Sequence, residues 1–125
     1  MRAEIRKTFR FEAAHSLPDH AGKCRGLHGH SYRIEFCFEG EIKPARGESD
    51  DGMVIDFLDV SAWWRREVEP LVDHGFLNET MPERFLLTSA ENIAAWVLGL
   101  LVAAQLPVSA VTVWETPSAS ATVRR

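Results

Sequence analysis

RAEIRKTFRFEAAH, residues 2–15, decides how the rest of the chain is read. Ala3, Ile5, Phe9, Phe11 and Ala13 fall on one parity, and Arg2, Glu4, Arg6, Thr8, Arg10 and Glu12 on the other. Successive side chains of a β-strand point to opposite faces, so this alternation predicts a strand over residues 2–14 with one face buried. Residues 31–39 repeat the pattern, with Tyr32, Ile34, Phe36 and Phe38 together. Between them, residues 17–29 carry Pro18, Gly22, Gly26 and Gly29 and predict a loop.

Working outward, EIKPARGESDDG (41–52) is charged and rich in turn formers, which predicts the exposed tip of a hairpin before the short run MVIDF (53–57). From Asp59 as N-cap, Val60, Trp64, Val68, Leu71 and Val72 recur at helical spacing, with Arg65 and Glu69 as an i,i+4 pair and Pro70 kinking or shortening the end. A loop through Gly75, Asn78 and Pro82 leads to a second helix carrying Ile93, Trp96, Val97, Leu100, Leu101 and Ala104, which Pro107 stops. Residues 108–115 and 120–123 predict two strands around a turn at 116–118. The order ββααββ is poor in βαβ crossovers and predicts an α+β fold, an antiparallel sheet with two helices on one face. Strands that do not close leave edges, so we expect copies of the chain to associate, into a shared barrel.

At 125 residues with 46% apolar content, residues 1–125 make one domain with a real core. Fourteen Lys and Arg against 18 Asp and Glu give a net charge of −4, which offers no basic footprint for nucleic acid and no polybasic membrane anchor. The longest apolar run, Ile93 to Ala104, contains Gly99 and is shorter than the roughly 20 residues that span a bilayer. The N-terminal residues show no apolar export segment, and Cys24 and Cys37 are expected as reduced thiols in a cytoplasm.

The chemistry gathers at the strand ends. His15 continues the buried parity of Phe9, Phe11 and Ala13, while His28 and His30 continue that of Tyr32 to Phe38 backwards. Adjacent antiparallel strands would bring the three imidazoles together. Three converging imidazoles without an evident fourth protein ligand match a catalytic zinc (Zn2+) site with one open position; the alternative is three satisfied core or loop histidines. Cys24, four residues before His28, could be an activated thiolate, a fourth zinc ligand or an inert loop residue. Cys37, on the other parity, reads as a packing residue, and His20 as a solvated loop residue. Asp73-His74 places a carboxylate beside an imidazole, which suits proton transfer but also arises by chance. Glu115 continues the parity of Val111 and Val113 and should face inward, onto a cationic or amidine-like ligand group or into a salt bridge.

FEAAH (11–15), CRGLHGHSY (24–32), GMVIDF (52–57), VDHGFLNE (72–79), AENIAAW (90–96) and VTVWETP (111–117) resemble, in order, the signature segments of the 6-pyruvoyl-tetrahydropterin synthase and 6-carboxytetrahydropterin synthase family. The Cys-x-x-x-His-Gly-His spacing is more similar to the bacterial branch that forms 6-carboxytetrahydropterin for queuosine synthesis than to the animal pyruvoyl branch. The resemblance implies a tunnelling fold, with trimeric barrels stacked in pairs as a homohexamer and active sites between subunits. It implies zinc on His15, His28 and His30, Cys24 as base, Asp73 and His74 as the acid–base pair, and Glu115 as anchor of the pterin ring, with Ser89 helping to line the pocket. The implied substrate is 7,8-dihydroneopterin triphosphate. Thr88, Val72 and Val123 depart from the family pattern, and Lys23, Arg25, Lys43 and Arg46 are candidates by charge for the triphosphate.

Overall fold

The computed structural model describes residues 1–125. β1 (Arg2–His15) and β2 (His28–Glu41) form a long antiparallel hairpin in which His15 lies opposite His28 and Ala13 opposite His30. β4 (Val108–Thr116) pairs with β2, and β5 (Ala119–Arg124) with β4. Both main helices, α1 (Phe57–Glu67) and α4 (Ala90–Ala103), pack on one face. The alternation that defines the strands supplies that face: Phe11, Tyr32, Ile34, Phe36 and Phe38 are buried against Val60, Trp64, Ile93, Val97 and Leu101. Phe9 stacks on Trp64 with ring centroids 4.8 Å apart, and Phe11 on Tyr32 at the same separation. Burying one such aromatic contributes roughly 1.5–3 kcal/mol, so this layer fixes the register of the hairpin.

The expected α+β class stands, with local corrections. Between α1 and α4 lie a four-residue helix α2 (Glu69–Val72), a two-residue strand β3 (Gly75–Phe76) and a short helix α3 (Leu77–Thr80). β3 pairs parallel with β1 at Ala13 and Ala14, so the sheet is mixed, in the order β3-β1-β2-β4-β5. Gly75 is needed there, since a Cβ would sit 3.1 Å from the Leu71 carbonyl oxygen. Residues 41–52 are not a hairpin tip: β2 ends at Glu41, no strand follows at 53–57, and the segment leads into α1. The N-cap of α1 is Asp56, whose side chain accepts the Leu58 N–H; Asp59 lies inside the first turn. Pro70 does end the long helix, which breaks at Val68 and restarts as α2. Trp63 is buried where Leu71 was expected, and Leu71 is 41% exposed. Arg65 and Glu69 do not pair; Glu69 accepts the Trp64 indole N–H. Both cysteines are free thiols. No helix is long and apolar enough to cross a membrane.

Two edges remain open. β3 covers β1 only at its last residues, and β5 has a neighbour on one side alone.

Candidate functional site

The strand register brings His15, His28 and His30 together, with one ring nitrogen of each within 4.8 Å of the others. Backbone carbonyls orient two of the rings. His15 Nδ1 lies 2.8 Å from Thr88 O, and His28 Nδ1 lies 2.8 Å from Gly26 O. A carbonyl only accepts, so each Nδ1 carries the proton and each Nε2 a lone pair. Those two Nε2 atoms face each other at 3.0 Å. His30 Nε2 is buried and has no hydrogen-bond partner at all. Two opposed lone pairs and an orphaned ring nitrogen need a cation among them. Neutral imidazoles oriented by carbonyls are the usual donors to zinc, so the residues present fit such an ion. Burial pushes the His15 and His30 pKa values below the ordinary 6.5. For His15 the Thr88 carbonyl opposes this and the charge of His28 adds to it. Both rings are thereby kept in the ligating form.

Glu115 belongs to this cluster electrostatically. It is the extra residue at the irregularity where Trp114 pairs with Ser120 and Thr116 with Ala119. Such a bulge re-aims a side chain, and the Glu115 carboxylate acts on His15, His30 and Tyr32. The Tyr32 hydroxyl is buried without a partner, and burial pushes its pKa up.

Asp73 and His74 form a second centre. One Asp73 oxygen accepts the Glu12 N–H at 3.0 Å, and the other lies 3.2 Å from His74 Nδ1. The Glu12 amide holds the Asp73 carboxyl below the usual carboxylate range, and His74 adds to this. The His74 backbone, at φ 58°, donates its N–H to Glu12 O. The ring is therefore held by Asp73 at one nitrogen and open at Nε2, which suits proton transfer. It lines a cleft of about 410 Å3 with Glu12, Ala14, Gly29 and Ser31. Glu12, Ala14, Gly29 and Ser31 alternate with the inward-facing residues, and His30, a member of the imidazole cluster, lines the same cleft.

Cys24 is half-buried in the 3-10 turn Lys23–Arg25 and stands outside the imidazole cluster. Its backbone carbonyl accepts the Leu17 N–H, fixing the loop that leads to His28. Ser89 caps α4, accepting the Asn92 N–H at 3.2 Å. Lys43 and Arg46 are ion-paired with Asp50 and Asp51, beyond the far end of a 14-residue strand that spans about 40 Å from the histidines. Within the chain they are no cradle for the triphosphate. Sequence reasoning missed Thr88 and Asn78. Thr88, wholly buried, orients His15 through its carbonyl. Asn78 binds both backbone groups of Ser16, accepting its N–H and donating to its carbonyl at 2.9 Å each. A polar residue at an otherwise apolar helix approach was the only available signal for Thr88.

A family model described as 6-pyruvoyl tetrahydropterin synthase matches residues 4–125. The chain is 40% identical to a 6-carboxy-5,6,7,8-tetrahydropterin synthase of Synechocystis sp., over 94% of this chain and 89% of the relative. It is 32% identical to one of Haemophilus influenzae, over 92% and 94%. Its fold is similar to the solved structure of Caenorhabditis elegans 6-pyruvoyl tetrahydropterin synthase, with a TM-score of 0.82 at 24% identity, covering 100% of this chain and 96% of that one.

Proposed function

Since the chain belongs to the 6-pyruvoyl tetrahydropterin synthase family, whose named members are pterin-forming lyases, we propose that it is a zinc-dependent 6-carboxy-5,6,7,8-tetrahydropterin synthase. It would convert 7,8-dihydroneopterin triphosphate and water to 6-carboxytetrahydropterin, acetaldehyde and triphosphate, in cytoplasmic 7-deazaguanine and queuosine synthesis. The observation that carries this reading is the histidine cluster, in which one ring nitrogen of each lies within 4.8 Å of the others, two Nε2 atoms are opposed and the third is buried without a partner. The 40% identity to a 6-carboxy enzyme supports this product over the pyruvoyl one.

His15, His28 and His30 would hold zinc, which when bound supplies Lewis acidity toward the vicinal oxygens of the substrate side chain. Glu115 would accept from the pterin ring N–H and exocyclic amino group, a charge-assisted bidentate contact. Cys24, as thiolate, would take a proton from the side-chain carbon, and Asp73-His74 would carry one to or from a side-chain oxygen. The hydrogen shift is internal to the substrate. We read the complete site as lying between copies of the chain. Open edges on β1 and β5 support assembly of trimers into a homohexamer.

The sibling reading, formation of the 6-pyruvoyl product by triphosphate elimination alone, uses the same residues. Zinc-loaded protein is incubated anaerobically with 7,8-dihydroneopterin triphosphate and the products are read by mass spectrometry, for wild type and Cys24→Ala. Carboxytetrahydropterin with acetaldehyde from wild type, and neither from the variant, is expected. A pyruvoyl product would move the chain to the sibling activity, and no turnover by the zinc-loaded protein would reduce it to a metal- or pterin-binding module.

A further inference from the structure

Arg10 and Arg33 stand directly opposite one another in the β1–β2 register, on the sheet face away from the helices. Cross-strand neighbours so placed have Cβ atoms roughly 4.5–5.5 Å apart, and like charges there repel. Other cations of this face have carboxylates: Arg6 pairs with Glu4 and, at 3.3 Å, with Glu35. Arg10 and Arg33 have none within ion-pairing distance. The acidic residues beside them in the pleat are engaged, Glu35 by Arg6 and Glu12 by the Ser31 hydroxyl at 2.7 Å. Arg33 instead lies over the Trp114 ring, 3.8 Å from its centroid. That stack orients the guanidinium plane and leaves its N–H edge free for an acceptor.

The two arginines, Trp114 and Thr116 line a cleft of about 230 Å3. It shares Glu12 and Ser31 with the cleft that His74 lines, so the two are consecutive parts of one trough. Along β1 the step from Glu12, which binds Asp73 and His74 through its backbone, to Arg10 is roughly 6–7 Å. That span suits a phosphoanhydride chain. Glu12 is the one acidic lining group; its carboxylate is bonded by the Ser31 hydroxyl and repels an anion from its own position, toward the arginines.

We propose that Arg10 and Arg33 form the polyphosphate-binding end of the site, receiving the triphosphate of a substrate whose reacting carbons lie at His74. The inference rests on the function proposed above and adds where the substrate's charge is held. Two guanidinium forks on adjacent strands offer bidentate bonds to successive phosphoryl groups, and the charge that repels between them in the free protein is offset when the anion binds.

Inorganic triphosphate is titrated calorimetrically into wild type, Arg10→Gln, Arg33→Gln, the double variant, and Arg65→Gln on the exposed side of α1. Each single change at the pair should weaken binding about tenfold or more, and the double change should abolish it. Arg65→Gln should have no effect, and Arg33→Lys, which keeps charge without fork, should recover part of the loss. Unchanged affinity in the double variant overturns the proposal, and so does an equal loss in Arg65→Gln, which would mark a diffuse charge effect. Turnover of dihydroneopterin triphosphate is read separately. A KM raised tenfold or more with kcat within about twofold is the expected signature of lost uniform binding. An active double variant with unchanged KM overturns the arginine site and keeps the enzyme. A wild type that binds inorganic triphosphate through the arginines yet turns over no pterin overturns the function instead.

Discussion

His15 Nε2 and His28 Nε2 point at one another across 3.0 Å, each ring having already committed its Nδ1 proton to a backbone carbonyl. Neither nitrogen has a proton to offer the other, so the pair is satisfied only by a proton taken from solvent or by a cation. A core built of satisfied histidines would show the reverse, one donor facing one acceptor. This is the physical content of the metal site, and His30 Nε2, buried and unpartnered, completes it.

Zinc should therefore stabilise the fold as well as serve chemistry. At a free concentration 1,000-fold above Kd a ligand specific to the native state adds about 4 kcal/mol. The thermal midpoint of chelator-treated protein should rise by several degrees on zinc addition and fall back with chelator. His28→Ala should lose the response. A midpoint indifferent to both zinc and chelator would remove the metal from the account.

The metal-free protein should weaken in mild acid. Burial lowers the pKa values of His15 and His30 below 6.5 in the folded state, while the unfolded chain titrates near 6.5. Below that pH the unfolded state binds more protons, so stability falls as pH drops through 6.5 and is flat above it. Urea midpoints at several pH values between 5 and 8 measure this, and His15→Gln should flatten the slope. A midpoint that rises toward acid would contradict the burial of these rings.

How much was legible in advance follows from the kind of signal each element carries. β1 and β2 are long and alternate, so parity alone placed His15, His28 and His30 on one face, and antiparallel register then brought them together. β3 has two residues and pairs in parallel with a strand some 60 positions away, which no local pattern encodes. Asp59 is a capable cap by residue type, but the helix starts two residues before it, at Phe57, where Asp56 accepts the Leu58 N–H. Glu115 sits at a bulge invisible to parity, and its carboxylate acts on His15, His30 and Tyr32. The Arg10–Arg33 juxtaposition needed the register, since each residue alone is an unremarked outward cation.

Asp73→Asn should separate chemistry from structure. The amide oxygen can still accept the Glu12 N–H, so the turn survives, but the carboxylate that holds His74 Nδ1 is lost. Loss of a positioned acid–base group lowers kcat by about 10^2–10^4. Zinc content and thermal midpoint should stay near wild type, as both histidine and cleft remain. Full activity in this variant would remove the dyad from the mechanism.

Ser89→Ala should act on stability first. Its hydroxyl accepts the Asn92 N–H as the N-cap of α4, the helix that buries Ile93, Trp96, Val97 and Leu101. Removing such a cap costs about 1 kcal/mol, read as a lowered urea midpoint with the denaturant slope unchanged. A pterin-lining role would show as a raised KM beyond that loss.

Asn78→Ala should loosen the metal site from a distance. The Asn78 side chain accepts the Ser16 N–H and donates to the Ser16 carbonyl, both at 2.9 Å, so it pins the residue that follows His15 in the turn leaving β1. Without it the half-buried Ser16 N–H loses its partner and the Ser16 carbonyl keeps only the long contact from Thr88 Oγ1 at 3.5 Å, at a cost of about 1–3 kcal/mol. The consequence for His15 is directional. Its ring is oriented by Thr88 O, and Thr88 Oγ1 also reaches Asn78 Oδ1 at 3.4 Å, so Asn78, Ser16, Thr88 and His15 form one connected strap. Outer contacts of this kind are worth roughly 10–100-fold in metal affinity. Competition with a fluorescent chelator should show weaker zinc binding in Asn78→Ala, and cobalt substituted for zinc should give an altered ligand-field spectrum. A variant that melts earlier yet binds zinc as tightly as wild type, with the same cobalt spectrum, would show that the strap serves the turn alone.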